Sequence, residues 1–214
     1  MDRFRVAVII PAFNEEATLF SVVRSVQEYG AAIVVNDAST DKTKQIAKSA
    51  GAILVNHKKN QGYDGALNSG FIKAKELNYS VVITFDADGQ HNRKYIQEYI
   101  DLLEQGFEVV VGVRSSFQRI SEYIFSWIAF WRWGIKDPLC GMKACRIDVY
   151  NQLGYFDSYD SIGTELVIYA AHKNLKIAQH PIKIEDRKDK PRFGNGFSAN
   201  LVILRAIWKG YKKY

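Results

Sequence analysis

Val6-Ala-Val-Ile-Ile-Pro-Ala-Phe-Asn-Glu-Glu16 is the stretch that decides how this chain folds. Its first five residues are apolar with no polar alternation. That is the pattern of a strand covered on both faces, and such strands belong to parallel sheets with helices on either side. Polar residues begin where the strand ends. Residues 16–28 then place Leu19, Val22, Val23 and Val26 at helical spacing. The strand-then-helix unit recurs down the chain. Strands at 33–35, 52–55, 81–85 and 109–112 alternate with helices at 40–50, 62–77 and 93–105. Alternation with short connections predicts an α/β domain, a mainly parallel sheet flanked by helices. The pattern weakens after Gly112.

A chain of 214 residues can bury a sizeable core as a single domain, and 47% hydrophobic with 24% charged residues excludes wholesale disorder. The two cysteines, Cys140 and Cys145, have neither the spacing nor the neighbours of a zinc framework, and they are too few for a disulfide scaffold. The apolar run at 6–10 is too short for a signal peptide or a membrane span, and no other stretch reaches a spanning length, so a cytoplasmic setting is expected. The net charge of +6 is local. Between Asp186 and Tyr214 lie eight basic and two acidic residues, which equals the charge of the whole chain. A basic tail on a neutral body points to an anionic surface. Nucleic acid is not the expected partner, because the charge sits on the tail and not around the acidic clusters described next.

In open parallel sheets, ligands sit beyond the carboxyl ends of the strands. Three polar clusters occupy those positions: Pro11-Ala-Phe-Asn-Glu-Glu16, Asn36-Asp-Ala-Ser-Thr-Asp41 and Asp86-Ala-Asp-Gly-Gln90. Alternate residues of an extended segment point the same way, so Asp86, Asp88 and Gln90 share a face. Two neighbouring carboxylates repel unless a cation lies between them, and carboxylate and amide oxygens suit Mg²⁺ or Mn²⁺, with diphosphate and water completing the shell. Asp37 is placed to accept from a ring N–H of uracil or guanine, while Ser39, Thr40 or Asp41 serves as the cap of the helix that follows. Pro11 stiffens the strand exit, Phe13 is placed to stack on a base, and Glu15 to meet base or ribose. The glycine-rich stretch Asn60-Gln-Gly-Tyr-Asp-Gly-Ala-Leu-Asn-Ser-Gly70 lacks the Gly-Lys-Ser/Thr of a P-loop and the spacing of a dinucleotide fingerprint. Its small residues let a helix pack closely or let a ligand approach the helix N-terminus.

In order, Pro11-x-x-Asn-Glu-Glu16, Asn36-Asp-Ala-Ser-Thr-Asp-Lys-Thr43, Asn60-x-Gly-x-x-x-Ala-x-Asn-x-Gly70 and Asp86-Ala-Asp-Gly-Gln-His91 resemble the motifs of family 2 glycosyltransferases, which have the GT-A fold. Gly112-Val-Arg114, Asp137-Pro-Leu-Cys-Gly-Met-Lys-Ala144 and Glu165 extend the likeness to the dolichyl- or polyprenyl-phosphate mannosyl and glucosyl transferases. The resemblance covers nearly the whole chain. It implies a Rossmann-like nucleotide-sugar-binding half at 1–113, an acceptor half at 114–197 and a basic amphipathic helix at 198–214. It further implies that Pro11, Phe13, Glu15 and Asp37 hold the nucleoside, that Asp86, Asp88 and Gln90 bind the metal, and that Arg114 meets a phosphate. Asn36 stands where the second motif usually begins with aspartate, which leaves the base open. The stretch from Gly112 to Cys140 is shorter than in many relatives. The Gln-x-x-Arg-Trp signature of processive polysaccharide synthases and the C-terminal membrane spans of some relatives are missing.

The expected reaction is inverting transfer of a hexose from GDP- or UDP-hexose to a lipid phosphate, with Asp88 and Arg114 serving the departing diphosphate. A phosphate acceptor is ionised at neutral pH and needs no base, whereas a hydroxyl acceptor needs one, with Glu165, Asp137 and Asp160 the candidates. The rival reactions are transfer to a saccharide or protein hydroxyl and nucleotidyl transfer on a similar sheet. Two helices bear on the acceptor. Residues 119–133 are apolar nearly all round and hold three tryptophans in seven residues, which suits either a headgroup interface or a buried helix. Residues 198–213 gather Arg205, Lys209, Lys212 and Lys213 on one arc and Leu201, Ile203, Leu204, Ile207, Trp208 and Tyr211 on the other. That arrangement predicts either a helix lying on an anionic membrane, peripheral at the cytoplasmic face, or one packed on the body with a solvated basic arc. Between them 187–196 reads as an acceptor loop, with Lys190 and Arg192 set to neutralise an acceptor phosphate.

Overall fold

The computed structural model describes residues 4–117, 119–159, 161–184 and 197–214. The predicted alternation forms the first half: β1 (Val6–Ala12), α1 (Leu19–Val26), β2 (Ala31–Asn36), α2 (Thr43–Ser49), β3 (Ile53–Asn56), α3 (Gly62–Glu76), β4 (Val81–Thr84), α4 (Lys94–Glu104) and β5 (Val109–Arg114). The second half contributes α5 (Ile120–Trp133), β6 (Lys143–Arg146), α6 (Ile147–Leu153), α7 (Thr164–His172), β7 (Ile177–Ile182) and α8 (Phe197–Lys213). One seven-stranded sheet has the order β3-β2-β1-β4-β6-β5-β7. All neighbours are parallel except β6, which runs antiparallel between β4 and β5.

Every residue of β1 is buried, because helices cover both faces as the unbroken apolar run demands. Val8 and Ile10 pack with Leu19, Val23, Ile96 and Leu103 from α1 and α4. Ala7 and Ile9 pack on the opposite face with Leu67, Phe71, Phe125 and Leu166 from α3, α5 and α7. Phe71 stacks between Tyr150, 4.8 Å away, and Phe156, 5.0 Å away, tying α3 to the second half. An aromatic side chain so placed contributes about 3–5 kcal/mol on truncation. Gly70 explains the small residues of the 60–70 stretch. A Cβ there would lie 2.3 Å from Ile9 Cγ2, so α3 crosses β1 at a distance only glycine permits. That crossing fixes where the start of α3 meets the strand ends.

Four second-half elements had no clear sequence pattern. β6 reads Lys-Ala-Cys-Arg, yet Lys143 is buried within it; β7 carries Pro181; α6 is one short helix; and α7 is buried along most of its length, with no polar stripe to reveal its period. Both cysteines are free and buried. Among the described residues no helix is long and apolar enough to cross a membrane.

Candidate active site

The carboxyl ends of β1, β2, β3, β4, β5 and β7 and the start of antiparallel β6 lie on one edge of the sheet, and the motifs meet there. The first two are knitted together. Asn14 N donates to Ser39 Oγ at 2.9 Å, Thr40 N to Asn14 Oδ1 at 2.9 Å, and Glu15 N to Thr43 Oγ1 at 2.8 Å. Asn14 and Ala38 both hold left-handed backbone, at φ 56 and 61, a conformation that costs of order 1 kcal/mol for alanine and persists where the surroundings impose it. Asp41 takes the capping duty expected of 39–41: its Oδ1 accepts from Thr43 N and its Oδ2 from Glu16 N. Pro11 and Glu15 are buried, the latter accepting from Thr18 Oγ1, whereas Phe13 is 40% exposed.

Asp86, Asp88 and Gln90 alternate as the half-buried members of their segment, with Ala87 buried between them. Asp86 Oδ1 accepts from Tyr63 Oη at 2.7 Å and its Oδ2 lies 2.9 Å from His91 Nε2. Burial raises its pKa, but the His91 and Tyr63 hydrogen bonds outweigh burial and hold the carboxyl below the usual range, so it is ionised. The 137–142 turn comes so close that a Cβ on Gly141 would sit 3.0 Å from Asp86 Oδ2. Among the described residues no three or more His, Cys, Asp or Glu side chains are grouped to hold a metal. Two carboxylates and an amide therefore make a partial, hard-oxygen shell. That donor set fits Mg²⁺ or Mn²⁺ only if diphosphate oxygens and water supply the rest. Tyr63 and His91 had no role in the sequence reading; a tyrosine opening α3 and a histidine five residues beyond Asp86 were the available signals.

Three candidates are placed otherwise than expected. Asp37 is no open rim position. It is 3% exposed, and its carboxylate accepts from His57 Nδ1 at 2.7 Å, Gln61 N at 2.8 Å and Gly62 N at 2.9 Å, so it also caps α3. Its loss would leave the buried His57 Nδ1 and the first N–H groups of α3 without their acceptor, so the fold depends on it as well. Arg114 grips Asp137 with two hydrogen bonds, at 2.8 and 2.9 Å, and pairs with Glu122 at 3.2 Å. Two of its five donors are thus taken by hydrogen bonds to Asp137, and the Glu122 contact is an ion pair. Glu165 is fully buried and accepts from Tyr155 Oη, Ser158 N, Ser158 Oγ and Lys213 Nζ. Held by four donors and with no exposed surface, it is not presented to an acceptor as a base would be. Asp137 is likewise consumed by Arg114. Asp160, Lys190 and Arg192 lie outside the described residues.

The model of the family described as "Glycosyl transferase family 2" matches residues 7–137 of this chain. The chain belongs to that family. Its relatives include a dolichyl-phosphate hexose transferase of Haloferax volcanii, 26% identical over 95% of this chain and 92% of the relative. A UDP-N-acetylglucosamine–dolichyl-phosphate N-acetylglucosaminyltransferase of Methanococcus voltae is 29% identical over 82% and 84%. Among solved structures, glucosyl-3-phosphoglycerate synthase of Mycobacterium tuberculosis in complex with Mg²⁺ and UDP superposes with a TM-score of 0.80 at 20% identity, covering 97% of this chain and 80% of that one. The fold is therefore GT-A, the α/β class anticipated.

Behind the site of this glycosyltransferase lies a buried ionic group that sequence reading missed. Asp64 in α3 accepts from Ile162 N at 3.1 Å and Gly163 N at 3.0 Å, holding a loop whose residues 162 and 163 are both left-handed. Lys143 Nζ donates to the carbonyls of Cys140 and Ile162. Burial, and then the neighbouring Asp157, push the Asp64 carboxyl up to about 7, against the pull of the two N–H groups. A carboxyl raised in the fold keeps its proton there while the unfolded chain loses it near pH 4. The folded state binds the extra proton between about pH 4 and pH 7, so this group's contribution to stability declines as pH rises through that window. Denaturant unfolding at pH 5 and pH 8 is expected to show wild type losing more stability across the interval than Asp64→Asn. Equal losses would contradict the assignment.

Helices α5 and α8 each turn an apolar face outward. α5 buries only Ser121, Glu122, Phe125 and Ala129 and turns Ile120, Tyr123, Ile124, Trp127, Phe130 and Trp131 outward, Trp127 66% and Trp131 74% exposed. α8 packs beside it, burying Ile203 and Ala206 and exposing Leu204, Trp208 and Tyr211. The basic arc of α8 is not solvated as a whole. Lys209 Nζ donates to Ser158 O at 2.8 Å and Lys213 Nζ reaches Tyr155 and Glu165, while Lys212 lies 4.0 Å from the Trp208 ring centroid.

Proposed function

We propose that this family 2 transferase moves a hexose from a GDP- or UDP-hexose to the phosphate of a polyprenyl or dolichyl lipid, working at the cytoplasmic face of an anionic membrane. Pro11, Phe13, Glu15 and Asp37 hold the nucleoside, and Asp86, Asp88 and Gln90 hold the divalent ion. When bound, that ion neutralises the charge that develops on the departing diphosphate. The acceptor phosphate oxygen forms the new bond to the anomeric carbon as the bond to the diphosphate breaks, with inversion. Tyr63 and His91 fix the orientation of Asp86, and Arg114, itself fixed by Asp137 and Glu122, offers donors not engaged by Asp137 to a phosphate. No proton leaves the acceptor, so the chemistry asks for no base. That agrees with the consumption of Glu165 and Asp137 by structural partners.

The observation that carries the choice of a lipid acceptor is the pair of outward apolar stripes on α5 and α8. Six large side chains on α5, three of them tryptophan or tyrosine, and three on α8, two of them tryptophan or tyrosine, stand exposed. A contiguous patch of that kind is rare on a monomer without a partner, and tryptophan and tyrosine favour the headgroup boundary. The relatives named for dolichyl-phosphate chemistry support the same acceptor.

Vesicle flotation checks the docking. Wild type is expected to float with anionic vesicles, and Trp127→Ser with Trp131→Ser to lower the bound fraction by about tenfold or more, since each tryptophan buries large apolar area. High salt is expected to weaken binding less than the double substitution does, because two of the basic side chains on α8 already serve the body. Equal flotation of both proteins would remove α5 from the docking surface.

A further inference from the structure

Half-buried Ser69 and buried His57 and Asp37 form a row. Ser69 Oγ lies 2.9 Å from His57 Nε2, and His57 Nδ1 lies 2.7 Å from Asp37 Oδ1. His57 is 9% exposed, and it follows the last residue of β3. The spacing is that of a nucleophilic triad. Ser69, however, sits in the middle of α3, where backbone N–H groups are taken up by the helix ladder and cannot stabilise an oxyanion. The row therefore serves its other end. A carboxylate only accepts, so Nδ1–H donates to Asp37, and in that tautomer Nε2 accepts a hydrogen bond from the Ser69 hydroxyl. With Gln61 N also on Oδ1, that oxygen is filled, whereas Oδ2 carries only Gly62 N.

We propose that His57 is a positioning residue for donor recognition: with its tautomer set by Ser69, it pins Asp37 so that Oδ2 presents its remaining lone pair to the ring N–H of the nucleobase. The ligand class is a base with an N–H beside a carbonyl, as in uracil or guanine. This rests on the reading above in which Asp37 meets the base. Removal of His57 leaves Oδ1 short of a donor, and the carboxylate turns to fill it at the expense of the base contact.

Calorimetric titration with UDP or GDP, whichever binds more tightly, and with its ring-N-methylated counterpart separates these ideas, because methylation deletes the N–H that Asp37 would accept. Wild type is expected to prefer the unmethylated nucleotide by about tenfold or more, the size of a hydrogen bond to a charged group. In His57→Leu the Kd for the unmethylated nucleotide should rise about tenfold while the methylated one binds as before. A general loosening of the fold would weaken both. His57→Asn, whose Nδ2 donates from nearly the Nδ1 position, should retain most of the preference, and Ser69→Ala should lose about threefold. If wild type binds both nucleotides alike, Asp37 does not read the base and this inference falls with that reading. If wild type discriminates and His57→Leu discriminates equally, His57 alone is removed from the account. Should His57→Leu not fold, Ser69→Ala decides: a reduced preference supports the relay and an unchanged one overturns it.

Discussion

Asp88→Asn should lower kcat by about two to three orders of magnitude, the usual consequence of removing one charge-stabilising contact from a transition state. Asp88 is half-buried and asparagine keeps its volume and an oxygen to accept from Gln90 N, so the substitution is expected to leave thermal stability within about 1 kcal/mol of wild type. Nucleotide affinity measured without metal should change little, while the metal-dependent gain in affinity disappears. The same site predicts that excess chelator abolishes turnover and that Mg²⁺ or Mn²⁺ restores it. Full turnover of the wild type in chelator, or of Asp88→Asn in metal, is the contrary result.

Glu165→Gln should act in the opposite sense, on the fold and not on the chemistry. Burial raises the carboxyl pKa, but the Lys213 and Ser158 hydrogen bonds outweigh it and hold it below its usual value. A depressed carboxyl contributes stability that is present above the unfolded value, about 4.3, and is lost as pH falls through the folded one. Glutamine keeps the volume, loses the charge and sets an amide against some of four donors. Breaking a buried pair costs about 3–5 kcal/mol. Because Lys213 is 44% exposed, solvent screening reduces that to about 2–3 kcal/mol, or roughly 4–12 °C in Tm for a domain of this size. The protein that remains folded should keep most of its kcat. An unchanged Tm with a thousandfold loss of kcat would instead make Glu165 the base of a hydroxyl transfer.

The first half of this chain was readable because its strands are covered on both faces and its helices keep an apolar stripe, so period and order appear together in the residues. The strand at 6–10 follows from that pattern, and the structure extends it to Ala12. The alternation of Asp86, Asp88 and Gln90 was readable for the same reason: an extended segment turns every second residue one way. What the sequence could not display was the state of a side chain's partners. Asp37 and Arg114 look like exposed ligands in a motif and are in fact held by His57, Gln61 and Gly62, and by Asp137 and Glu122. Glu165 looks like a base and is closed on every side by residues 155, 158 and 213. Those partners lie from 7 to 48 residues away in the chain, and no regular spacing announces them. Lys143 hid β6, because a buried lysine in a strand contradicts the alternation that marks one. α5 was ambiguous because a helix apolar all round can bury either face. The structure resolves it through small and specific contacts at Ser121, Glu122, Phe125 and Ala129, which send Trp127 and Trp131 outward.

The central claim is transfer of a hexose to a lipid phosphate, and product partition tests it most directly. Wild-type protein is mixed with Mg²⁺ or Mn²⁺, a radiolabelled UDP- or GDP-hexose, and anionic vesicles that do or do not contain polyprenyl phosphate. Label is expected to move into the organic phase only with polyprenyl phosphate, in step with released nucleoside diphosphate, and to stay aqueous with Asp88→Asn or excess chelator. Stoichiometric release of nucleoside diphosphate with the label passing to a water-soluble acceptor, and none to the lipid, would contradict the claim.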